Sequence, residues 1–398
     1  MKIGIRTLAS ASAAVAVTAA SALVAGAGPA AASPMVTTVV SGLASPRGIA
    51  FDGLGSMYVA QAGAAGPGSQ GVTQTGNVSK YSLTSSGANL AWSTPFTSVY
   101  DTNPLGQKET LGPAGLSALG SGCQKNSPGN RRGCQVLTIT SESVSGLTAG
   151  GAPADAVGEM GKLVRLDGAA GTKSTLADVG DQNYAWTGTH SYLFPPDFPD
   201  ANPYAVLVTK GGPGGIRTFV ADAGANTINE ILPDGTARVI AYIPNETPPG
   251  FRDSTPTCIA QGPDGMLYVG ALDLLYNLTI GPGHSNVWRV DPNSTDWQHN
   301  ATVWASGLTT VGACAFDNQG NFWAAEMFAP PASASAPPGD LISFPFAHPI
   351  QSLTDPHALR VPVPLPGGVA QGPDGAIYAT TMSPVPAPVG AVVRVTAG

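Results

Sequence analysis

The sequence predicts an all-β fold, a six-bladed β-propeller, on three observations. A ribbon motif recurs at a constant interval, a third strand recurs six times at one phase, and the last unit lacks a strand that the chain supplies near its start. The clearest ribbons are "QGPDGMLYVG" from Gln261 and "QGPDGAIYAT" from Gln371, with a diverged copy, "FDNQGNFWAA", from Phe316. Their turn glycines, Gly265, Gly320 and Gly375, are 55 residues apart each time. Fixed intervals of this order mark architectures in which each repeat is one supersecondary unit.

In chain order, the first 32 residues stand apart. Lys2 and Arg6 precede an apolar Ala/Val stretch from Leu8 to about Ala27, and "PAAAS" supplies small residues at Ala30 and Ala32. This is the layout of a secretory signal peptide with cleavage after Ala32, so the protein is expected to be secreted. Residues 33–398 are expected to form one propeller domain. No later segment approaches the ~20 uninterrupted apolar residues of a membrane helix.

The units follow. Alternating runs joined by Gly-containing turns are the signature of hairpins. Six appear, among them "RGIAFDGLGSMYVAQ", "YAVLVTKGGPGGIRTFVAD", "GACAFDNQGNFWAAE" and "GGVAQGPDGAIYATT". The third strands are "NVSKYSL", "GKLVRLDG", "NTINEILPDG", "NVWRVDP", "DLISFPF" and "AVVRVTA", with Lys80, Arg165, Glu230, Arg289, Ser343 and Arg394 at one phase. A solitary polar group per strand suits a half-covered strand with that group outward. "TVWASGLTTVGACAF" (302–316) aligns with "TVVSGLASPRGIAF" (38–51), so residues 36–43 are a fourth strand with no unit before them. They can complete the sixth unit and join the chain ends, which closes a propeller and leaves only short protected edges.

Four cysteines in an exported chain read first as two disulfides. Cys123 and Cys134 bracket a polar loop that a bridge could clamp. Cys258 and Cys314 lie 7 and 6 residues before their turn glycines. They therefore project from opposite faces of equivalent strands in adjacent blades. That geometry permits a bridge between the fourth and fifth blades; two buried reduced thiols are the other reading.

"GLASPRGIAFDGLGSMYVAQAG", "ADAGANTINEILPDGTARV" and "TPTCIAQGPDGMLYVG…NVWRVDP" together carry a resemblance. The mature chain resembles, in order and over its length, the ScyD/ScyE family of secreted bacterial propellers. The resemblance implies six blades and export, and it transfers no catalytic residues. Where relatives often show "AEAG", this chain has "AQAG" at Gln61.

The chain of 398 residues is 43% hydrophobic and only 11% charged, with 51 Gly, 36 Pro and a formal net charge of -7. No Lys/Arg cluster appears, which argues against nucleic acid and acidic membranes as partners. There is no G-x-S-x-G elbow, H-E-x-x-H, phosphate loop or C-x-x-C. "DPNSTD" (291–296) lacks the closing acid of a calcium loop and reads as a turn. The five N-x-S/T sites bear on a eukaryotic pathway only, and the Ala-rich leader points to a bacterial one.

What remains is position. Second strands end at one mouth of a propeller channel, and those ends carry Gln61, Glu142, Asp222, Asp273 and Glu326, with Thr380 or Thr381 ending the sixth. Asn226 follows Asp222, and Asn202 opens the third blade. Converging oxygens there would suit Ca²⁺, which takes six to eight, and Asp222 with Glu326 are the offered ligands. The plainer account has these residues capping strand ends. His190, with Tyr184, Trp186 and Tyr192, lies in a long insertion (168–201) that could form an aromatic lid. Two functions stay open. The foremost is a non-enzymatic binding or scaffold module, expected to be monomeric and to present one face to a protein, glycan or small ligand. The alternative is a calcium-dependent channel-mouth enzyme of the six-bladed lactonase/lyase type.

Overall fold

In the computed structural model, which describes residues 34–65, 71–102, 108–118, 135–193, 199–210, 216–245 and 253–396, the repeat units become six antiparallel sheets. Blade 4 shows the pattern plainly. Pro256–Gln261 turns through Gly265, at φ +81°, into Leu267–Ala271; Ser285–Val290 and Ala301–Leu308 follow outward. Glycine holds that turn because a positive φ costs it no steric clash. Blades 2, 3 and 5 have the same four-strand order.

Closure occurs as the alignment of residues 38–51 with 302–316 implies. Met35–Leu43 is the outer strand of blade 6 and pairs with Gly390–Thr396, from Met35 opposite Thr396 to Leu43 opposite Gly390. Blade 1 departs from the four-strand plan. Its third and fourth strands, Gly71–Thr84 and Gly87–Thr102, pair along a ribbon 14 and 16 residues long. The far end of that ribbon takes a fifth strand, Lys108–Leu111, on its exposed edge.

Strand alternation sends successive side chains to the two faces of a blade, and each face meets a neighbour. Both faces must then be apolar, and Leu267–Ala271 is buried at every position. Six apolar clusters result, one per blade junction. Phe219 and Ile240 of blade 3 pack on Leu267 and Trp288 of blade 4, and Tyr268 of blade 4 packs on Phe322 of blade 5. Each such buried Leu or Phe contributes about 1.5–3 kcal/mol. The Cys258–Cys314 bridge staples blades 4 and 5, with Cα atoms 5.5 Å apart. Cys123 and Cys134 lie outside the described residues.

Of the recurrent polar residues of the third strands, Glu230 and Ser343 are buried and the other four are half-buried, with the Arg289 side chain 42% exposed. Each sits opposite a second-strand residue, as in Tyr58–Lys80, Phe219–Glu230, Tyr268–Arg289 and Tyr378–Arg394. They share the face turned to the next blade. Lys80 reaches across to the Gly168 carbonyl of blade 2 at 2.7 Å, and Glu230 is held by Arg217 and Arg238. A period of two correctly separates the faces; it does not reveal that a second blade covers the polar one.

The first strands of neighbouring blades run side by side around the axis. Small residues bring their backbones together. A Cβ at Gly115 would lie 2.8 Å from the Ala205 Cα, and one at Gly368 would lie 2.1 Å from the Arg47 carbonyl oxygen. The channel is accordingly narrow, a cavity of about 70 Å³ bounded by all six first strands. No helix among the described residues is long and apolar enough to cross a membrane.

Candidate functional site

Second strands end, and first strands begin, on the same face of the ring. Backbone strain collects there. Eight described non-glycine residues have positive φ. Ser45, Thr255, Thr310 and Leu365 precede first strands, while Glu142, Asn226, Asp273 and Met382 follow second strands. At the opposite face, hairpin glycines such as Gly55, Gly265 and Gly375 take that conformation. Non-glycine residues in this region cost about 1–3 kcal/mol each and cluster at functional sites.

The predicted mouth residues divide into two groups by register. Gln61, Asp222 and Glu326 are equivalent, each opposite the first residue of its blade's inner strand: Pro46, Pro203 and Val311. Their side chains fasten the loop that leads into their own blade. Gln61 Oε1 accepts from Ala44 N–H at 2.8 Å, Asp222 Oδ1 from Asn202 N–H at 2.7 Å, and Glu326 Oε1 from Thr309 N–H. Asp222 also accepts from the N–H groups of Gly224 and Ala225 and, through Oδ2, from Asn183. Glu326 is wholly buried and pairs with Arg360, which also reaches Asp340. Burial and the Asp340 carboxylate push Glu326 well above the usual range, opposed by Arg360.

Glu142 belongs to the second group. It lies two residues beyond the strand Gln135–Thr140, at φ +60°. Its carboxyl is within electrostatic reach of Asp200, Glu109, Asp222 and Arg47, which belong to three blades and their connecting loops. Burial, then repulsion from the three acids, raises Glu142 well above the ordinary carboxyl value, and Arg47 only partly offsets this. Arg47 itself is buried, donates to the Thr110 carbonyl at 2.7 Å and stacks 5.2 Å from the Tyr204 ring centre. Asp200 is raised by burial. Asp253, whose Oδ1 accepts from Asn226 at 3.0 Å, is pushed up to about 6 by burial and by Asp200. Asp222 is also pushed to about 6, by burial that its four donors only partly counter.

Glu142, Asp222 and Asp253 thus share the repulsion of Asp200, and Arg47 offsets it at Glu142. Asp200, Asp253, Arg47 and Tyr204 were not singled out in the sequence. The signal was present: all four lie within the last few residues before an inner strand or at its start. Inspecting first-strand starts alongside second-strand ends would have found them. Asp273 caps Leu274–Thr279, and its carbonyl accepts from the Asn277 side chain at 2.9 Å.

The lid residues are brought partly together. They lie on and just after the helix Val179–Thr189. Trp186 and His190 stack with ring centres 4.2 Å apart, Trp297 meets both edge-on, and Tyr192 stands 6.0 Å from His190. Tyr184 packs instead near Gly146 of the helix Val144–Ala149. Calcium is not accommodated by the offered ligands. Asp222 and Glu326 sit in blades 3 and 5, each engaged by partners of its own loop and blade. No group of three or more His, Cys, Asp or Glu among the described residues could hold a metal ion.

No family model matches the chain, and no curated protein matches it in sequence. Solved structures do share its architecture. A carbohydrate-active enzyme of family AA12 from Trichoderma reesei is 11% identical over 93% of this chain and 98% of its own, with a TM-score of 0.50. The luciferin-regenerating enzyme is 13% identical over 92% and 95%, at 0.47. Virginiamycin B lyase from Staphylococcus aureus is 14% identical over 92% and 99%, at 0.42. The likeness is one of fold.

Proposed function

We propose that this propeller works at its channel mouth, transferring a proton to a small substrate in chemistry of the lactonase or lyase class, with Glu142 as the acid. The single observation that carries this reading is the Glu142 carboxyl. It is held in a strained backbone conformation and raised well above the ordinary carboxyl range by burial and by neighbouring acids. A carboxyl tuned upward toward the working pH is what general acid catalysis needs, and Arg47 supplies an opposing charge within its reach. Structural ion networks also shift such groups, so the assignment rests on the coincidence of strain, position and shift. The described residues do not assemble a calcium cage. Export and membership of the ScyD/ScyE family belong to the same proposal, supported by the leader layout and the order of motifs.

A binding module is the second reading, favoured by the complete engagement of Asp222 and Glu326 in holding loops. A panel of lactones and cyclic esters, followed by proton release at pH 6–8, separates the two. Turnover should fall by about 10²–10⁴-fold in Glu142→Gln, the usual worth of a positioned acid, with the melting temperature kept. Turnover that survives Glu142→Gln would contradict the proposal. Ligand-induced melting shifts without turnover would establish the binding module.

A further inference from the structure

A cavity lies on the opposite face, between blades 5 and 6, at the blade where one repeat breaks the pattern. Five blades carry a long charged side chain at the third-strand position that faces the next blade: Lys80, Arg165, Glu230, Arg289 and Arg394. Blade 5 carries Ser343, buried opposite Trp323. Beside it lies the cavity, of about 480 Å³. That lies within the range of roughly 300–1,000 Å³ typical of small-molecule sites.

The lining is of two kinds. Trp323, Ile377 and Leu359 form an apolar wall, and Leu359 is 46% exposed at the position opposite Ser343. Gln319 and Asn321 bring side-chain amides to the rim, the Asn321 nitrogen donating to Asp317, while the Gln371 amide is tied to Asn318 and Gly375. The acidic and basic side chains already have partners. Asp317 accepts from the Gln319 and Asn321 N–H groups, the Asn321 amide and the Trp323 indole. Asp374 is paired with Arg394 at 2.7 Å, and His357 with Asp355 at 2.9 Å. A charged ligand would find no uncompensated partner. A ligand with an apolar face and many neutral donors and acceptors would match both the wall and the amides.

We propose that this groove binds a neutral saccharide, one sugar ring lying on the Trp323–Leu359 wall with its hydroxyls at the amide rim. The proposal is independent of the channel-mouth reading. The test applies the purified protein to an array of neutral and acidic oligosaccharides, then titrates any hit by tryptophan fluorescence and calorimetry. A neutral glycan should bind. Ser343→Arg, which rebuilds the side chain found in blades 2, 4 and 6, should weaken it at least about tenfold, or ~1.4 kcal/mol. Leu359→Asp at the exposed rim should do the same, and it serves if the first variant fails to fold. Turnover at the mouth, if present, should be unchanged in both. Failure of every neutral glycan to bind, preference for acidic glycans, or affinity retained in both variants would overturn the proposal.

Discussion

Asp253 and Asp222 show how single residues tie this protein's stability to pH. Both are raised to about 6 in the fold, against ~3.9 for a free aspartate. The folded state therefore holds more protons than the unfolded one between those values. The stability these groups contribute is complete below pH ~4 and is lost as pH rises through about 6. Asp253→Asn keeps an acceptor for Asn226 and removes the titration. Its melting temperature should gain on the wild type between pH 4.5 and 7.5, by up to the order of 2–3 kcal/mol in stability. Thermal melts at the two pH values check this, and parallel curves would show that Asp253 titrates normally. Glu230 has the opposite sense, because Arg217 and Arg238 overcome its burial and lower it. The comparison with the wild type isolates Asp253 from such groups.

Within elements, the same residue type does different work according to register. Glu326 and Glu142 both stand at the ends of second strands, and the sequence groups them together. Glu326 is opposite Val311 and Asp340, inside the blade, while Glu142 lies two residues past its strand and turns to the mouth. The repeat was legible because turns and apolar alternation recur at a fixed interval. The site was legible only in part, since Asp200 and Asp253 lie on loops just ahead of inner strands and Arg47 at the start of one, positions that the apolar alternation does not mark. The buried set Glu326–Arg360–Asp340 yields its own prediction. Arg360→Met leaves two carboxylates facing each other, and removing one partner of a buried pair costs about 3–5 kcal/mol. Urea denaturation should show that loss at pH 7 and a smaller one at pH 5, where protonation relieves the repulsion. Equal losses at both would show that the carboxylates are not in conflict.

At the scale of the whole molecule, the ring is held by a strand from the beginning of the chain on a blade from its end. The Met35–Leu43 strand covers the edge of Gly390–Thr396, whose Val392, Val393 and Val395 are buried. Deleting residues 35–43 exposes a row of unpaired backbone groups beside an apolar face, which is a template for association. Calorimetry of that deletion should show a lowered and broadened transition with concentration-dependent aggregation. A sharp transition at the wild-type temperature would mean that closure contributes little. The ring also explains why acids from three blades can be crowded together at all. Six blades closed on a narrow axis hold their loop ends fixed, so mutual repulsion is absorbed by the fold as raised pKa values.

Carbon-13 NMR titration of the side-chain carboxyls tests that central claim most directly. The account predicts carboxyl resonances that still titrate above pH 5.5, one of them lost in Glu142→Gln and another lost in Asp253→Asn. Midpoints below pH 5 for every carboxyl would contradict it, and the mouth would then hold an ordinary set of solvated acids.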